Sequence, residues 1–325
     1  MGLTRSKAVK RNKYIDILID CVTSSCLYPV MTFDSTPTDL PATDATASTA
    51  HYESGQGSIV NYAWYSRYSD ADIALKSVFN VMAPHDLAKI LINANRYPDV
   101  EFRLWIDSQR AAPNTMACLQ DFFDQASQHQ NIEVYDAQTI PTYGDITASA
   151  FNTTQTQENK LWRFVDILKL AITEHCYETT NANNIFFADL DIDDVMVESA
   201  QTLDSLEAYG FVTGGFHRSD RSASKSDYIE NSFMGFRGEK GLSLLSEMIN
   251  FTFQQYSNPS TVNGYVPYTL VIASRLPREN SRDFIIQNVQ RTRFKETETR
   301  IQELLHEAGI QDLVTHQSPG VTDPQ

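Results

Sequence analysis

From residue 58 onward, short runs of large apolar residues are separated by longer stretches in which apolar residues recur every three or four positions. The short runs are typical of β-strands, and the longer stretches are typical of amphipathic helices. This pattern predicts strands at 58–65, 101–107, 131–135, 184–188, 211–216 and 232–236. It predicts helices at 84–96, 114–126, 158–177, 240–256 and 280–308. Such alternation indicates an α/β fold with a mostly parallel central sheet, helices on both faces and helical additions.

The first 57 residues differ from this body in composition. The segment 1–33 combines a basic arm, which has five positive charges and no acidic residue in its first 13 positions, with a short docking segment. The segment 34–57 is rich in Ser, Thr, Asp and Pro and has almost no large apolar residue, so burial cannot offset the entropy cost of ordering it. We therefore predict a linker at 34–57, a folded domain at 58–316 and a tail at 317–325.

Charge and cysteine content indicate which classes of protein this sequence is compatible with. The chain has 26 basic and 41 acidic residues, a net charge of -15, which argues against nucleic-acid binding because phosphate contacts need a basic surface. The four cysteines show no C-x-x-C spacing, which predicts a protein of the reducing cytosol without a zinc site and leaves secretion without a cleaved signal open.

The N-terminal segment contains an apolar stretch and an acylation pattern, both of which are relevant to membrane binding. The apolar stretch 14–31 is interrupted by Asp16 and Asp20, so it predicts neither a membrane-spanning helix nor a signal-peptide core. The first six residues, MGLTRS, fit the N-myristoylation pattern. One acyl chain beside a basic cluster predicts weak contact with an anionic membrane.

The candidate chemistry lies at the end of the predicted strand 184–188. Asp189 and Asp191 follow its continuous apolar run, and alternate spacing sends both carboxylates to the same side of an extended backbone. Ligands of parallel sheets bind beyond the carboxyl ends of the strands. Carboxylate oxygens suit Mn²⁺ or Mg²⁺, which can in turn hold a diphosphate. The sequence therefore predicts a metal site at Asp189 and Asp191.

This Asp-x-Asp and the preceding helical segment RFVDILK (163–169) resemble the A-type-fold (GT-A) nucleotide-sugar glycosyltransferases, in particular the group of the clostridial glucosylating toxins and bacterial effector transferases. In that family a helix with the pattern S-D-x-x-R faces the donor sugar. Asp166 matches its aspartate, whereas Lys169 stands where arginine is usual and offers a point charge instead of a planar fork. By the resemblance, Lys169 or Arg163 adds positive charge at the sugar or diphosphate.

Further blocks are similar to the family in the same order. The segment NYAW (61–64) and the following 93–108, which ends in LWIDS, are similar to its opening strands, and by this resemblance Trp64 stacks on the uracil of a UDP-sugar. Residues 229–235, IENSFMG, resemble the segment in which an asparagine, here Asn231, reaches the donor and acceptor side. The nearest candidates for a late metal ligand are His316 and Ser318. The chain departs from the family in lacking a Gly-Gly pair before the metal strand.

The resemblance implies a glycosyltransferase that uses Mn²⁺ or Mg²⁺ and moves glucose or N-acetylglucosamine from UDP-glucose or UDP-N-acetylglucosamine to a protein acceptor. Its implied setting is the cytosol or, for a secreted toxin or effector, the host cytosol or the cytosolic membrane face. Two alternatives stay open: a catalytically inactive binding module with the same fold, and a phosphatase of the haloacid dehalogenase type. The phosphatase would carry its Asp-x-Asp near the start of the domain, whereas here it comes more than 130 residues after the linker.

Overall fold

The structure is a computed structural model of the 325-residue chain. It describes residues 57–64, 84–111, 115–126, 131–151, 157–214, 216–218, 227–229, 231–256, 268, 271–272, 275–276, 281–286, 303 and 306. The chain divides into two compact units, Met1–Gly55 with Arg218–Asp227, and Gln56–His217 with Tyr228–Gln325. The second unit contains the central sheet. The predicted N-terminal arm, the tail and all but the last residue of the linker lie outside the described residues, so these predictions stay open.

The strands are β1 (Ser58–Trp64), β2 (Glu101–Ile106), β3 (Ile132–Asp136), β4 (Asn184–Ala188), β5 (Phe211–Gly214), β6 (Phe216–Arg218), β7 (Asp227–Ile229), β8 (Phe233–Arg237) and β9 (Ile285–Ile286). The helices are α1 (Pro84–Arg96), α2 (Thr115–Ala126), α3 (Tyr143–Phe151), α4 (Gln157–Thr179), α5 (Ala200–Tyr209), α6 (Gly238–Tyr256) and α7 (Ser281–Phe284). Within the described residues no helix combines the length and the apolar character that a membrane span requires.

The central sheet has seven strands among the described residues, in the order β3-β2-β1-β4-β8-β5-β9. Strands β1 to β4 run parallel to their neighbours in this group, and β8 runs antiparallel to both β4 and β5. Strands β6 and β7 pair in a separate two-stranded sheet. The predicted α/β class with a mostly parallel sheet flanked by helices is confirmed.

The sequence of strand β4 is continuously apolar from Ile185 to Ala188 and does not alternate with polar residues. Phe186 and Ala188 pack in a core that includes residues of α1 and α2, whereas Ile185 and Phe187 pack in a core with α3 and α4. Both faces of the strand are therefore covered, and each position needs an apolar side chain. The antiparallel register pairs Ala188 with Phe233, so the carboxyl end of β4 lies beside the amino end of β8.

The predicted helix at 280–308 is wrong over Ile285 and Ile286, which form β9 and pair with β5. Ile285 is 1% exposed, so burial beside the sheet edge and hydrogen bonds to β5 outweigh the weak local helix propensity of adjacent isoleucines. Helices α3 and α5 were not predicted. For α5 the sequence carries a usable signal, because Ser199 caps its first turn and Gly210 ends it in the left-handed conformation at φ 70°.

Candidate functional site

Three segments meet at the carboxyl end of β4. Asp189 follows the strand directly, Asp166 and Lys169 lie one turn apart on α4, and Asn231 precedes β8. The backbone N–H of Asp189 donates to the carbonyl of Ser232 at 2.6 Å, which joins the end of β4 to the start of β8. We call Asp166, Lys169, Asp189 and Asn231 the strand-edge cluster.

An ion pair connects α4 to the end of β4 in this cluster. Lys169 Nζ lies 2.6 Å from Asp189 Oδ1, and the side chains are 5% and 27% exposed. The ammonium also lies 5.6 Å from the centre of the Phe187 ring. A lysine buried to this degree needs a counter-charge, because an uncompensated charge is costly away from water. The carboxylate of Asp189 supplies that charge while keeping part of its surface open.

Asp166 and Asn231 form the second part of the cluster. Asn231 Nδ2 donates to Asp166 Oδ1 at 2.8 Å, and the Tyr256 hydroxyl reaches Asp166 Oδ2 at 3.4 Å. The Tyr268 hydroxyl donates to the main-chain carbonyl of Asp166. Asp166 is 6% exposed and Asn231 2% exposed. These bonds fix the orientation of the Asp166 carboxylate and the Asn231 amide, which are 65 residues apart in the sequence.

The loop that carries Asp191 is held by α1, a feature that the sequence analysis missed. Lys89, 1% exposed, donates to the main-chain carbonyl of Asp191 at 3.0 Å, and its Nζ lies 3.3 Å from Asp193 Oδ1. A signal for it exists in the sequence, since Lys89 lies within the apolar run LAKILI. A lysine inside a helix that is apolar on most sides is buried and therefore paired.

Burial also perturbs Asp86, in the first turn of α1. Desolvation raises the pKa of its carboxyl from 3.8 to about 7, and the charge of Asp191 adds to this rise, whereas the charge of Lys89 opposes it. Negative charge near Asp191 is thus kept low by a carboxyl that holds its proton up to neutral pH.

The other predicted donor-binding residues lie in different surroundings. Trp64 ends β1 at the same sheet edge as Asp189, is partly buried and packs against the core cluster of β1, β2 and α1. Arg163 is fully buried, one turn before Asp166, and its Nη2 donates to the main-chain carbonyls of Tyr256 at 2.5 Å and Ser149 at 3.4 Å. These contacts tie α4 to α3 and α6, and a role of Arg163 at the diphosphate stays a prediction without support from them.

Two residues of the motif blocks take part in core packing. Asn61 Oδ1 accepts a hydrogen bond from Trp105 Nε1 at 2.8 Å, and Asn61 Nδ2 donates to the carbonyl of Phe186 at 3.0 Å. Asn61 is fully buried, and Trp105 is 1% exposed. The blocks NYAW and LWIDS thus contain a hydrogen-bonded core pair that ties β1 to its neighbours β2 and β4.

Asp189 and Asp191 are the candidate ligands for a divalent cation. In the part of the chain that the structure describes, no group of three His, Cys, Asp or Glu side chains converges as a cation site. His316 and Ser318 lie outside the described residues, so the late ligand stays a prediction. Mg²⁺ usually binds through one or two carboxylates together with substrate phosphates. Asp189 and Asp191 match such ligands in type and number, Asp189 also pairs with Lys169 at 2.6 Å, and cation binding at these two residues stays a prediction.

The known proteins that resemble this chain are all solved structures. No protein-family model matches the chain, and no curated protein sequence matches it. Similar solved structures include the PaToxG glycosyltransferase, with 9% identity, coverage of 82% of this chain and 80% of that chain, and a TM-score of 0.40. The galactosyltransferase LgtC, in complex with donor and acceptor sugar analogs, has 12% identity, coverage of 77% and 95%, and a TM-score of 0.45.

A third similar structure is 4-diphosphocytidyl-2C-methyl-D-erythritol synthase from Anaerococcus prevotii, with 9% identity, coverage of 80% of this chain and 98% of that chain, and a TM-score of 0.39. Likeness at this level says nothing about the activity of the present chain, so its function has to be inferred from the site itself.

Proposed function

We propose that this protein is a glycosyltransferase whose donor is a UDP-hexose, UDP-glucose or UDP-N-acetylglucosamine. The observation that supports this most is the strand-edge cluster, in which a buried aspartate, a buried lysine, a strand-end aspartate and a buried asparagine converge from three segments. It lies beyond the carboxyl end of a central strand, where α/β sheets bind their ligands.

Asp166 and Asn231 are suited to hold the hexose. A carboxylate accepts hydrogen bonds from sugar hydroxyls, and an amide can both donate and accept, so the pair matches a ring with several adjacent hydroxyl groups. Their mutual hydrogen bond of 2.8 Å and their burial fix both groups before the donor arrives. Holding the ring in one orientation presents the anomeric carbon to the acceptor and lowers the entropic part of the barrier.

Asp189 and Asp191 are suited to hold Mn²⁺ or Mg²⁺ together with the diphosphate. When bound, the cation would neutralise charge that develops on the UDP leaving group. Lys169 Nζ, held 2.6 Å from Asp189, places a fixed positive charge at the same edge. A fixed ammonium stabilises the departing diphosphate without having to reorganise during the reaction. Trp64, at the end of β1, is our candidate to stack on the uracil.

The acceptor and the cellular setting belong to the same proposal. We propose a protein acceptor, action in the cytosol or, for a secreted effector, in a host cytosol, and weak membrane contact through the basic, myristoylation-compatible N-terminus. The net charge of -15 supports a protein that does not bind nucleic acid.

One observation favours a second candidate, a binding module that has kept the fold without turnover. Lys169 already neutralises Asp189 at 2.6 Å, so a cation would have to share that carboxylate with a buried ammonium. The phosphatase alternative finds less support, because the Asp-x-Asp follows β4 and not the first strand of the domain.

The test is release of UDP from UDP-glucose and from UDP-N-acetylglucosamine, with and without Mn²⁺, by the full chain, two site variants and one control variant. Asp166→Asn and Asp191→Asn preserve side-chain size and should each lower the rate by about 100- to 1,000-fold, the usual effect of removing one transition-state group. Asp204→Asn, at an exposed position of α5, is the matched control and should retain the wild-type rate. Absence of turnover with both donors, with no shift in melting temperature on adding UDP and Mn²⁺, would refute the transferase and favour the binding module.

A further inference from the structure

One face of α1 contacts the loop that carries Asp191 at successive points. Lys89, Asn93 and Tyr97 recur every four residues, on α1 and at the residue after its end. Residues four apart lie on the same side of a helix. The loop from Asp189 to Met196, which follows β4, lies against this face, and we call these three side chains the α1 clamp.

Each side chain of the α1 clamp binds a different point of the loop. Lys89 Nζ donates to the carbonyl of Asp191 at 3.0 Å and pairs with Asp193 Oδ1 at 3.3 Å. Asn93 Oδ1 accepts from the backbone N–H of Val195 at 3.2 Å. The Tyr97 hydroxyl donates to Asp194 Oδ1 at 2.6 Å. These bonds satisfy backbone and side-chain groups of the loop that strand pairing does not reach.

One residue of the loop has a backbone conformation that requires support from surrounding contacts. Met196 has φ 47°, in the left-handed region that residues other than glycine rarely adopt. Such a conformation persists where surrounding contacts over-determine it. The backbone N–H of Met196 donates to Asp194 Oδ1 at 2.9 Å, and the same oxygen accepts from Tyr97. The clamp and the strained residue thus share one carboxylate.

We propose that the α1 clamp, in which Lys89 makes the contact to Asp191, is the positioning device that sets the location of the Asp191 carboxylate relative to Asp189. This inference rests on the proposed function, because it assigns to Asp191 a role in holding the diphosphate and its cation. Lys89 acts through the main chain of Asp191 and through Asp193, and is a positioning residue. Displacements of about 1 Å at such groups reduce rates by as much as 100-fold, so a buried ammonium that fixes the loop has a direct consequence for binding.

The experiment measures binding of Mn²⁺ by calorimetric titration at saturating UDP, using the full chain. Lys89→Met keeps the length of the side chain and removes its hydrogen bonds and charge. We expect Mn²⁺ affinity to fall by about 10- to 100-fold, as is usual when groups that orient metal ligands are removed. In the UDP-release assay, KM for the donor should rise more than kcat falls, since the catalytic groups themselves remain. Lys240→Met is the matched control, because this exposed lysine also donates to a main-chain carbonyl, that of Ala208, and should leave the affinity unchanged.

A second variant covers the case in which Lys89→Met does not fold, as judged by circular dichroism. Tyr97→Phe removes one hydroxyl from the clamp and should weaken Mn²⁺ binding by about three- to tenfold, the equivalent of one hydrogen bond. If wild type binds Mn²⁺ with UDP and the folded Lys89→Met or Tyr97→Phe binds it equally well, the positioning role is refuted and the proposed function stands. If Lys240→Met weakens binding as much as Lys89→Met, the positioning role is also refuted. If wild type binds neither UDP nor Mn²⁺, the proposed function fails first, and the positioning role fails with it.

Discussion

The ion pair between Lys169 and Asp189 should stabilise the folded protein. Asp189→Asn leaves the ammonium of Lys169, 5% exposed, without its carboxylate, so the variant should be less stable than wild type. Lys169→Met should cost less, because Asp189 is 27% exposed and water can solvate it. The double variant leaves no unpaired charge and should recover most of the loss caused by Asp189→Asn.

The magnitude follows from the geometry. Two unit charges 2.6 Å apart attract by about 6 kcal/mol at an effective dielectric constant of about 20, before the cost of desolvation is subtracted. Breaking a buried pair from one side costs roughly 3–5 kcal/mol, and breaking an exposed pair costs roughly 0.2–1 kcal/mol. With one partner buried and the other partly open, we expect Asp189→Asn to lower the free energy of unfolding by about 2 kcal/mol.

The assay is urea unfolding of the four members of the double-mutant cycle, followed by circular dichroism. The exposed pair Arg237 and Glu207, 3.2 Å apart and with side chains 37% and 75% exposed, supplies the matched control cycle. We expect a coupling energy of about 2 kcal/mol for Lys169 and Asp189, and about 0.5 kcal/mol or less for the control. A coupling energy for Lys169 and Asp189 no larger than that of the control would refute the reasoning.

Two further predictions concern α1 and the sheet. Burial raises the pKa of Asp86 from its ordinary value of 3.8 to about 7, so between these values the folded chain holds a proton that the unfolded chain has released. The free energy of unfolding should therefore fall by about 2–3 kcal/mol between pH 5 and 8. Urea titrations of Asp86→Asn should lack this part of the pH dependence, and an unchanged slope would contradict it. In Gly235→Ala the new Cβ would lie 2.5 Å from ring atoms of Phe186 and 2.8 Å from Val212, so unfolding should cost about 1–3 kcal/mol less. Gly144→Ala in α3 is its control, because among the described residues no atom beyond the neighbouring residues and helix backbone lies within 4 Å of the new Cβ. Equal stability of the two variants would show that the sheet has room for the added methyl group.

Local pattern identified most of the central fold. The bounds 184–188 and 84–96 agree with β4 and α1 because continuous burial and helical periodicity depend on residues near each other in the chain. Asp166 and Lys169, which were singled out by the family resemblance, lie one turn apart on α4. The helix predicted at 280–308 failed at Ile285 because the deciding partner, the edge of β5, is distant in sequence.

The residue pattern alone singled out only Asp189 and Asp191, whereas Asp166, Lys169 and Asn231 were predicted through the family resemblance. Asp189 and Asp191 could be predicted as site residues because they come directly after a recognisable buried strand. Asn231 meets Asp166 across 65 residues because β8 runs antiparallel beside β4, and Lys89 meets Asp191 across 102 residues because α1 covers that face of the sheet.

By itself, the sequence determined which segments become buried strands and amphipathic helices, because these depend on apolar spacing over a few residues. Tertiary structure alone decided which polar side chains meet at the end of β4. Buried charges such as Lys89 and Lys169 require partners, but their identity depends on strand order and direction, which local spacing does not encode.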